Sequence, residues 1–152
     1  MKRIILSSIA ILAITSTTAL AAASSGYRGK TKSGTTITFK VSGNRISGVK
    51  TQVPMVCVET TGSGQTRAGV ELYEPPASFA IGTTSQTKAL QRAAMNQGIK
   101  ATKTYTFSST RAGGRITGKL RISLSFLRPG IDIYHSYIFL CTGTTSFTAS
   151  AA

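Results

Sequence analysis

Few residues in this sequence have types that could do chemistry, and their spacing limits what that chemistry can be. His135 is the single histidine, and Asp132 lies three positions before it. With a serine nearby, such a pair is the material of an acyl-transfer triad, in which the acid orients the imidazole and the imidazole takes the hydroxyl proton. In a strand, however, positions 132 and 135 point to opposite faces, so Asp132 cannot orient His135 without a bulge. A histidine packed beside Tyr134 and Tyr137 is the plainer reading. Carboxylate-pair chemistry needs two acids on either side of a substrate. The candidates are Glu59, Glu71 and Glu74, but alternation places Glu71 on the polar side of a strand and Glu59 and Glu74 in loops. Surface solvation accounts for all three. The chain has no G-x-S-x-G, no phosphate loop and no metal-spaced histidine pair. The expectation is a protein without catalysis, bound metal or cofactor.

Charge is the feature that stands above background. Lys and Arg number 18 against 4 Asp and Glu, a formal +14. Lys2 and Arg3 belong to an export leader, so the remainder holds 16 against 4, or +12. Such a balance excludes a calcium module, which needs clustered carboxylates. One histidine and two cysteines exclude a ligand-rich zinc site built from this chain alone. The charge is also segregated: residues 24–58 hold six basic and no acidic residues, and residues 75–131 hold nine and none. Arg115, Lys119 and Arg121 share the outward side of one alternating run, which makes a basic stripe. A field of this sign favours wall polymers, acidic polysaccharide, lipid headgroups or nucleic acid. The competing reading is charge that only keeps an exported domain soluble. Nucleic acid is expected to bind only non-specifically, because Phe39, Tyr105, Phe107 and Phe126 fall on the apolar side, away from a basic groove.

The leader sets the compartment. Lys2 and Arg3 precede an apolar run from Ile4 to Ile14, and Ala19-Leu20-Ala21 or Ala21-Ala22-Ala23 fits a signal-peptidase site. These are the parts of a secretory signal over residues 1–23. The run is little more than half of the roughly 20 residues that span a bilayer. The expectation is removal of the signal, no membrane span afterwards, and a protein that is secreted or held at the cell envelope. In that compartment Cys57 and Cys141 are most simply one disulfide. The rivals are two buried thiols or a redox pair, and the latter usually has C-x-x-C spacing.

These residues need elements to position them, and the dominant period is two. Ile37, Phe39 and Val41 share one side of a strand that ends in the turn Ser42-Gly43-Asn44-Arg45. Val49, Thr51, Val53, Met55 and Cys57 share one side of the next. Arg67 to Tyr73 reads as a strand with Ala68, Val70 and Leu72 aligned on its apolar side, closed by Glu74-Pro75-Pro76. From Arg115 to Phe126 the alternation is unbroken, and Arg111-Ala112-Gly113-Gly114 joins this strand to Lys100–Ser108 as a hairpin. Ile131 to Cys141 has apolar residues on both sides, which marks a central strand, a covered one, or an interface. Phe147 and Ala149 belong to a last short strand. Ser85 to Gly98 breaks the pattern: Leu90, Ala93 and Ala94 have helical spacing, with Lys88 and Arg92 four apart. The expected architecture is a single all-β domain over residues 24–152, an antiparallel β-sandwich with a small β-barrel as runner-up, and one short helix inserted around 85–97.

Both ends of the chain carry a further pattern. Tyr27-Arg28-Gly29-Lys30-Thr31, Gly34, Ile37-Thr38-Phe39-Lys40-Val41 and the glycine turn after it run on to Cys57. Ile116-Thr117-Gly118-Lys119-Leu120, Cys141-Thr142-Gly143 and Phe147-Thr148-Ala149 close the chain. Together they resemble a group of small secreted, uncharacterised proteins, chiefly actinobacterial. The resemblance implies a disulfide-bonded β-sandwich and carries no catalytic or binding residues. It does not reach the middle of the chain, from Glu59 to Ala101.

Two functional expectations follow. The first is an extracellular or envelope-associated binding module that holds anionic polymers on Arg115, Lys119 and Arg121. The alternative is a protein-protein module, an inhibitor or an assembly subunit, that uses the apolar strand 131–141 for a partner or for another copy of itself.

Overall fold

The computed structural model describes residues 23–62, 64–129 and 136–152. Residues 1–22, where the secretory signal is expected, Ser63, and the segment 130–135 with Asp132 and His135 lie outside the described residues. The described chain is all-β. Its strands are β1 (Ser25–Thr31), β2 (Thr36–Ser42), β3 (Arg45–Glu59), β4 (Thr66–Tyr73), β5 (Phe79–Ala80), β6 (Thr84–Arg92), β7 (Lys100–Ala112), β8 (Arg115–Pro129) and β9 (Ser136–Ala151). All pair antiparallel in one nine-stranded sheet, in the order β4-β3-β2-β1-β9-β8-β7-β6, with β5 on β3. No helix among the described residues is long and apolar enough to cross a membrane.

Two long strands shape this sheet. β3 and β9 pair directly over Val56–Glu59 and Phe139–Thr142. Beyond that stretch they diverge, and the hairpin β1–β2 fills the gap, with β2 on the first part of β3 and β1 on the last part of β9. β3 changes course at Gly48, whose φ of 60° supplies the left-handed residue of a bulge. The register on β2 shifts there, and the inward positions step from Ile46 to Val49. The β7–β8 hairpin turns at Gly113-Gly114, both at positive φ, as a two-residue turn requires.

The sheet folds over on itself. Laid flat, β4 and β7 would lie roughly 20 Å apart even across the β3–β9 junction. Instead the ring centroids of Tyr73 on β4 and Tyr105 on β7 are 5.1 Å apart. Those of Phe79 on β5 and Phe107 on β7 are 4.8 Å apart. The core lies between these facing parts. Ile37, Val53, Phe107, Leu120 and Ile122 are fully buried in it, so burial of apolar side chains drives the closure. Cys57 and Cys141 point into the same core and are joined as the expected disulfide, directly opposite one another in the β3–β9 pairing.

Four expectations are corrected. The helix around 85–97 is the edge strand β6, followed by a single 3-10 turn at Ala94–Asn96. Every residue of β6 is paired with β7, and Leu90, the apolar residue that suggested a helix, faces solvent. On β4 the apolar face is inverted: Val70 and Leu72 are exposed, while Glu71 and Tyr73 point inward. The pairing of Val53 with Glu71 and of Thr51 with Tyr73 fixes this, because β3 turns Thr51 and Val53 to the core. Glu59 ends β3 as a buried residue and not in a solvated loop. Phe147 and Ala149 are inward positions of the 16-residue β9, not a separate strand.

Candidate functional site

The convex face of the sheet is built from the outward half of each alternation. On β8 it presents Arg115, Thr117, Lys119 and Arg121, all exposed as expected, while Ile116, Leu120 and Ile122 are buried. Strand order then adds residues that the β8 alternation alone does not reveal. Arg115 lies opposite Ser150 of β9, and Ser150 lies opposite Arg28 of β1. In the next row Thr117 faces Thr148, which faces Lys30. Lys119 faces Ser146, whose carbonyl accepts the N–H of Lys32 at 2.8 Å. Arg121 faces Thr144.

The result is a lattice of cations with hydroxyls between them. Neighbouring cations on one strand, Lys119 and Arg121, are spaced by roughly 7 Å, and those flanking β9, Arg28 and Arg115, by roughly 10 Å. The strands β1, β2, β7, β8 and β9 hold no carboxylate among the described residues. Two shallow furrows meet at Thr117 and Gly118. Lys30, Lys32 and Ser146 line one, and Lys119, Thr84 and Thr110 line the other. The Ser109 hydroxyl, which also lines the second furrow, is buried without a hydrogen-bond partner. This arrangement can hold repeated negative charges along an extended ligand, each by a charge-assisted hydrogen bond.

Along β8 and β9 the convex face changes character. Beyond Arg121 come Ser123 and Ser125, then Leu127, and beyond Thr144 come Thr142, Leu140 and Ile138. Leu140 and Ile138 are 50% and 39% exposed. Of the strand 131–141, the described part from Ser136 thus joins the sheet with one apolar side in the core, at Phe139 and Cys141, and the other in solvent.

Four titratable residues of the interior, Glu71, Lys103, Tyr73 and Tyr105, form a second cluster. Glu71 Oε1 accepts a hydrogen bond from Lys103 Nζ at 3.0 Å, and both side chains are almost wholly buried. The same carboxylate accepts the backbone N–H of Leu72 and of Met95, each at 3.1 Å. Burial, and then the neighbouring Tyr105, push the Tyr73 hydroxyl far above the usual tyrosine range. Tyr105 is raised by burial and then by the negative charges of Glu71 and Glu74. Both remain donors, Tyr73 to the carbonyl of Thr106 at 2.9 Å and Tyr105 to Gln91 Oε1. Glu74 sits at the surface, paired with Lys50 at 2.6 Å. Glu71 is therefore no surface acid, and it does not stand across a cleft from Glu59 or Glu74. Reading β4 by its apolar residues hid this cluster. The signal was parity: Lys103 shares the parity of Tyr105 and Phe107, and Glu71 that of Tyr73.

Comparison with known protein families, with curated proteins and with solved structures found no match to this chain.

Proposed function

We propose that the protein is a secreted or envelope-associated, non-catalytic module that holds anionic polymers on the basic part of its convex sheet face. One observation carries this reading: Arg115, Lys119 and Arg121 of β8 stand beside Arg28 and Lys30 of β1 across the hydroxyl row of β9. A lattice of this kind serves repeated charge better than a single small anion, because each cation meets the next charged group of the same chain and the contacts act together. The secretory pattern of residues 1–23 and the Cys57–Cys141 bridge are consistent with work outside the cytoplasm, where anionic wall polymers and acidic polysaccharides are the abundant polyanions. Nucleic acid shares the charge, but among the described residues the aromatics of these strands pack on the core side, away from this face.

The test compares two triple variants with the same net charge. One reverses Arg115, Lys119 and Arg121 to Glu. The other reverses Lys88, Arg92 and Lys100, exposed at the β6 edge and the start of β7. Retention on purified cell envelope and on a polyphosphate matrix is measured at about 0.15 M salt, where exposed charges are screened within roughly 8 Å. Loss in the first variant and retention in the second supports the site. Equal loss in both means that the charge is generic and overturns it.

A further inference from the structure

The far end of the same face is apolar, and nothing in the basic lattice accounts for it. Val58 and Leu140 lie opposite each other in the β3–β9 pairing, and Leu127 and Ile138 in the β8–β9 pairing. On the other side of β3, Pro54 lies opposite Val70. Val56 and Leu72 extend the patch along their strands. Exposures of 51% for Val56, 47% for Val70, 50% for Leu140 and 57% for Leu127 are high for branched apolar side chains in a sheet. β4 adds Val70 and Leu72 to the patch because it turns its polar parity inward, to the Glu71–Lys103 pair.

We propose that this apolar end is the contact surface of a homodimer. Its apolar side chains expose on the order of 500 Å², at the upper end of the largest patch on an ordinary monomer. With the polar rim around them, that approaches the roughly 800 Å² per partner of a standard interface. A partner must also tolerate the charge of this chain. Two strongly basic copies repel through their lattices, but the gap widens along β8: Leu140, in the row of Ser125, lies four positions or roughly 13 Å from the row of Arg121, and Leu127 six positions or roughly 20 Å, about two Debye lengths at physiological salt. A two-fold axis through the apolar end keeps the two lattices apart and needs only one self-complementary patch. A second copy therefore fits the size of the patch and the uncharged side chains that compose it, with Lys88 beside Leu140 and Lys50 beside Leu72 at its margins. The dimer would present two basic lattices to one polymer.

The test is sedimentation equilibrium on the folded, disulfide-bonded protein over a concentration range centred on about 10 µM. The expected result is the mass of two chains at the upper end. Association should hold or strengthen in high salt, because repulsion is screened and apolar burial is not weakened. Polyanion retention should weaken over the same range, which separates this inference from the functional reading above. Val58→Lys and Leu140→Glu, both at exposed positions, should each weaken association by at least about tenfold. Circular dichroism like that of the parent protein shows that each variant is folded. A single-chain mass throughout the range overturns the inference, as does a two-chain mass untouched by both variants. A single-chain mass together with binding to neutral phosphatidylcholine vesicles, lost in Leu140→Glu, overturns it in favour of a lipid surface.

Discussion

Glu71 and Lys103, on β4 and β7, meet inside the folded sheet as a buried ion pair with Oε1 and Nζ 3.0 Å apart. Their side chains are 1% and 3% exposed, so neither charge has water to fall back on. The pair joins the two parts of the sheet that face each other across the core, and the backbone N–H groups of Leu72 and Met95 complete the shell of the carboxylate. A one-residue slip of β4 would bury Val70 and Leu72 in place of Glu71 and leave Lys103 without a counter-charge. The pair thus specifies a register that the apolar residues of β4, taken alone, would get wrong.

Removing one partner should cost far more than removing both. Lys103→Met leaves Glu71 buried and unpaired and is expected to destabilise the fold by about 3–5 kcal/mol. The double variant Glu71→Leu/Lys103→Met takes away both charges and should recover most of that loss. Urea unfolding of the two single variants and the double measures the coupling. Additive losses would show that the two side chains do not act as a pair.

How far the sequence carried depends on whether apolar pattern and burial agree. They agree on β8, where Ile116, Leu120 and Ile122 are buried and Arg115, Lys119 and Arg121 exposed, and on the inward run of β3 from Val49 to Cys57. They disagree on β4, because a register inherited from β3 and an ion pair supplied by β7 outweigh the local apolar pattern. Leu90 on β6, with Ala93 and Ala94 just after it, imitated a helix, yet hydrogen bonding to β7 outweighs a weak local propensity. Residues 143–146 of β9 are glycine, threonine and serine, so alternation of type vanished there while alternation of burial continued. The basic lattice was legible on β8 alone. Its other half, Arg28 and Lys30, depends on β1 lying beside β9, and strand order is a long-range property that no local pattern encodes.

The two buried tyrosines make the fold sensitive to alkali. Burial, and then the neighbouring Tyr105, raise the Tyr73 hydroxyl well above its ordinary value. The unfolded chain therefore loses this proton first, near pH 10, while the folded chain keeps it. Above that pH the unfolded state binds fewer protons, and stability must fall as pH rises, by up to about 1.4 kcal/mol per pH unit for Tyr73. Tyr105 is shifted in the same direction. Below pH 10 this contribution is fully present. Thermal unfolding followed from pH 8 to 11 should show a steeper alkaline decline for the parent protein than for Tyr73→Phe. The phenylalanine variant loses the hydrogen bond to Thr106 at every pH, so its curve should begin lower and run flatter. Parallel curves would mean that Tyr73 ionises as easily folded as unfolded.

The Cys57–Cys141 bridge acts where the sheet branches. It joins residues 84 positions apart and lies within the four residue pairs that connect β3 to β9. Beyond those pairs the two strands separate to admit β1 and β2, so a short stretch of pairing closes the branch. Cross-linking at this point restricts the unfolded chain over most of its described length, and the chain-entropy relation for such a loop gives roughly 4 to 5 kcal/mol. Replacing both cysteines by Ala removes the link and also trims two buried side chains, so the total loss should be at least of that order. Reduction without substitution isolates the effect of the link. Its first consequence should be local, because the four pairs lose their clamp while the long β8–β9 and β7–β8 pairings do not. Amide exchange in the reduced protein should therefore accelerate first at residues 56–59 and 139–142, ahead of β7 and β8. Uniform acceleration across the sheet would mean that the branch point has no separate opening and that the bridge acts only on the unfolded chain.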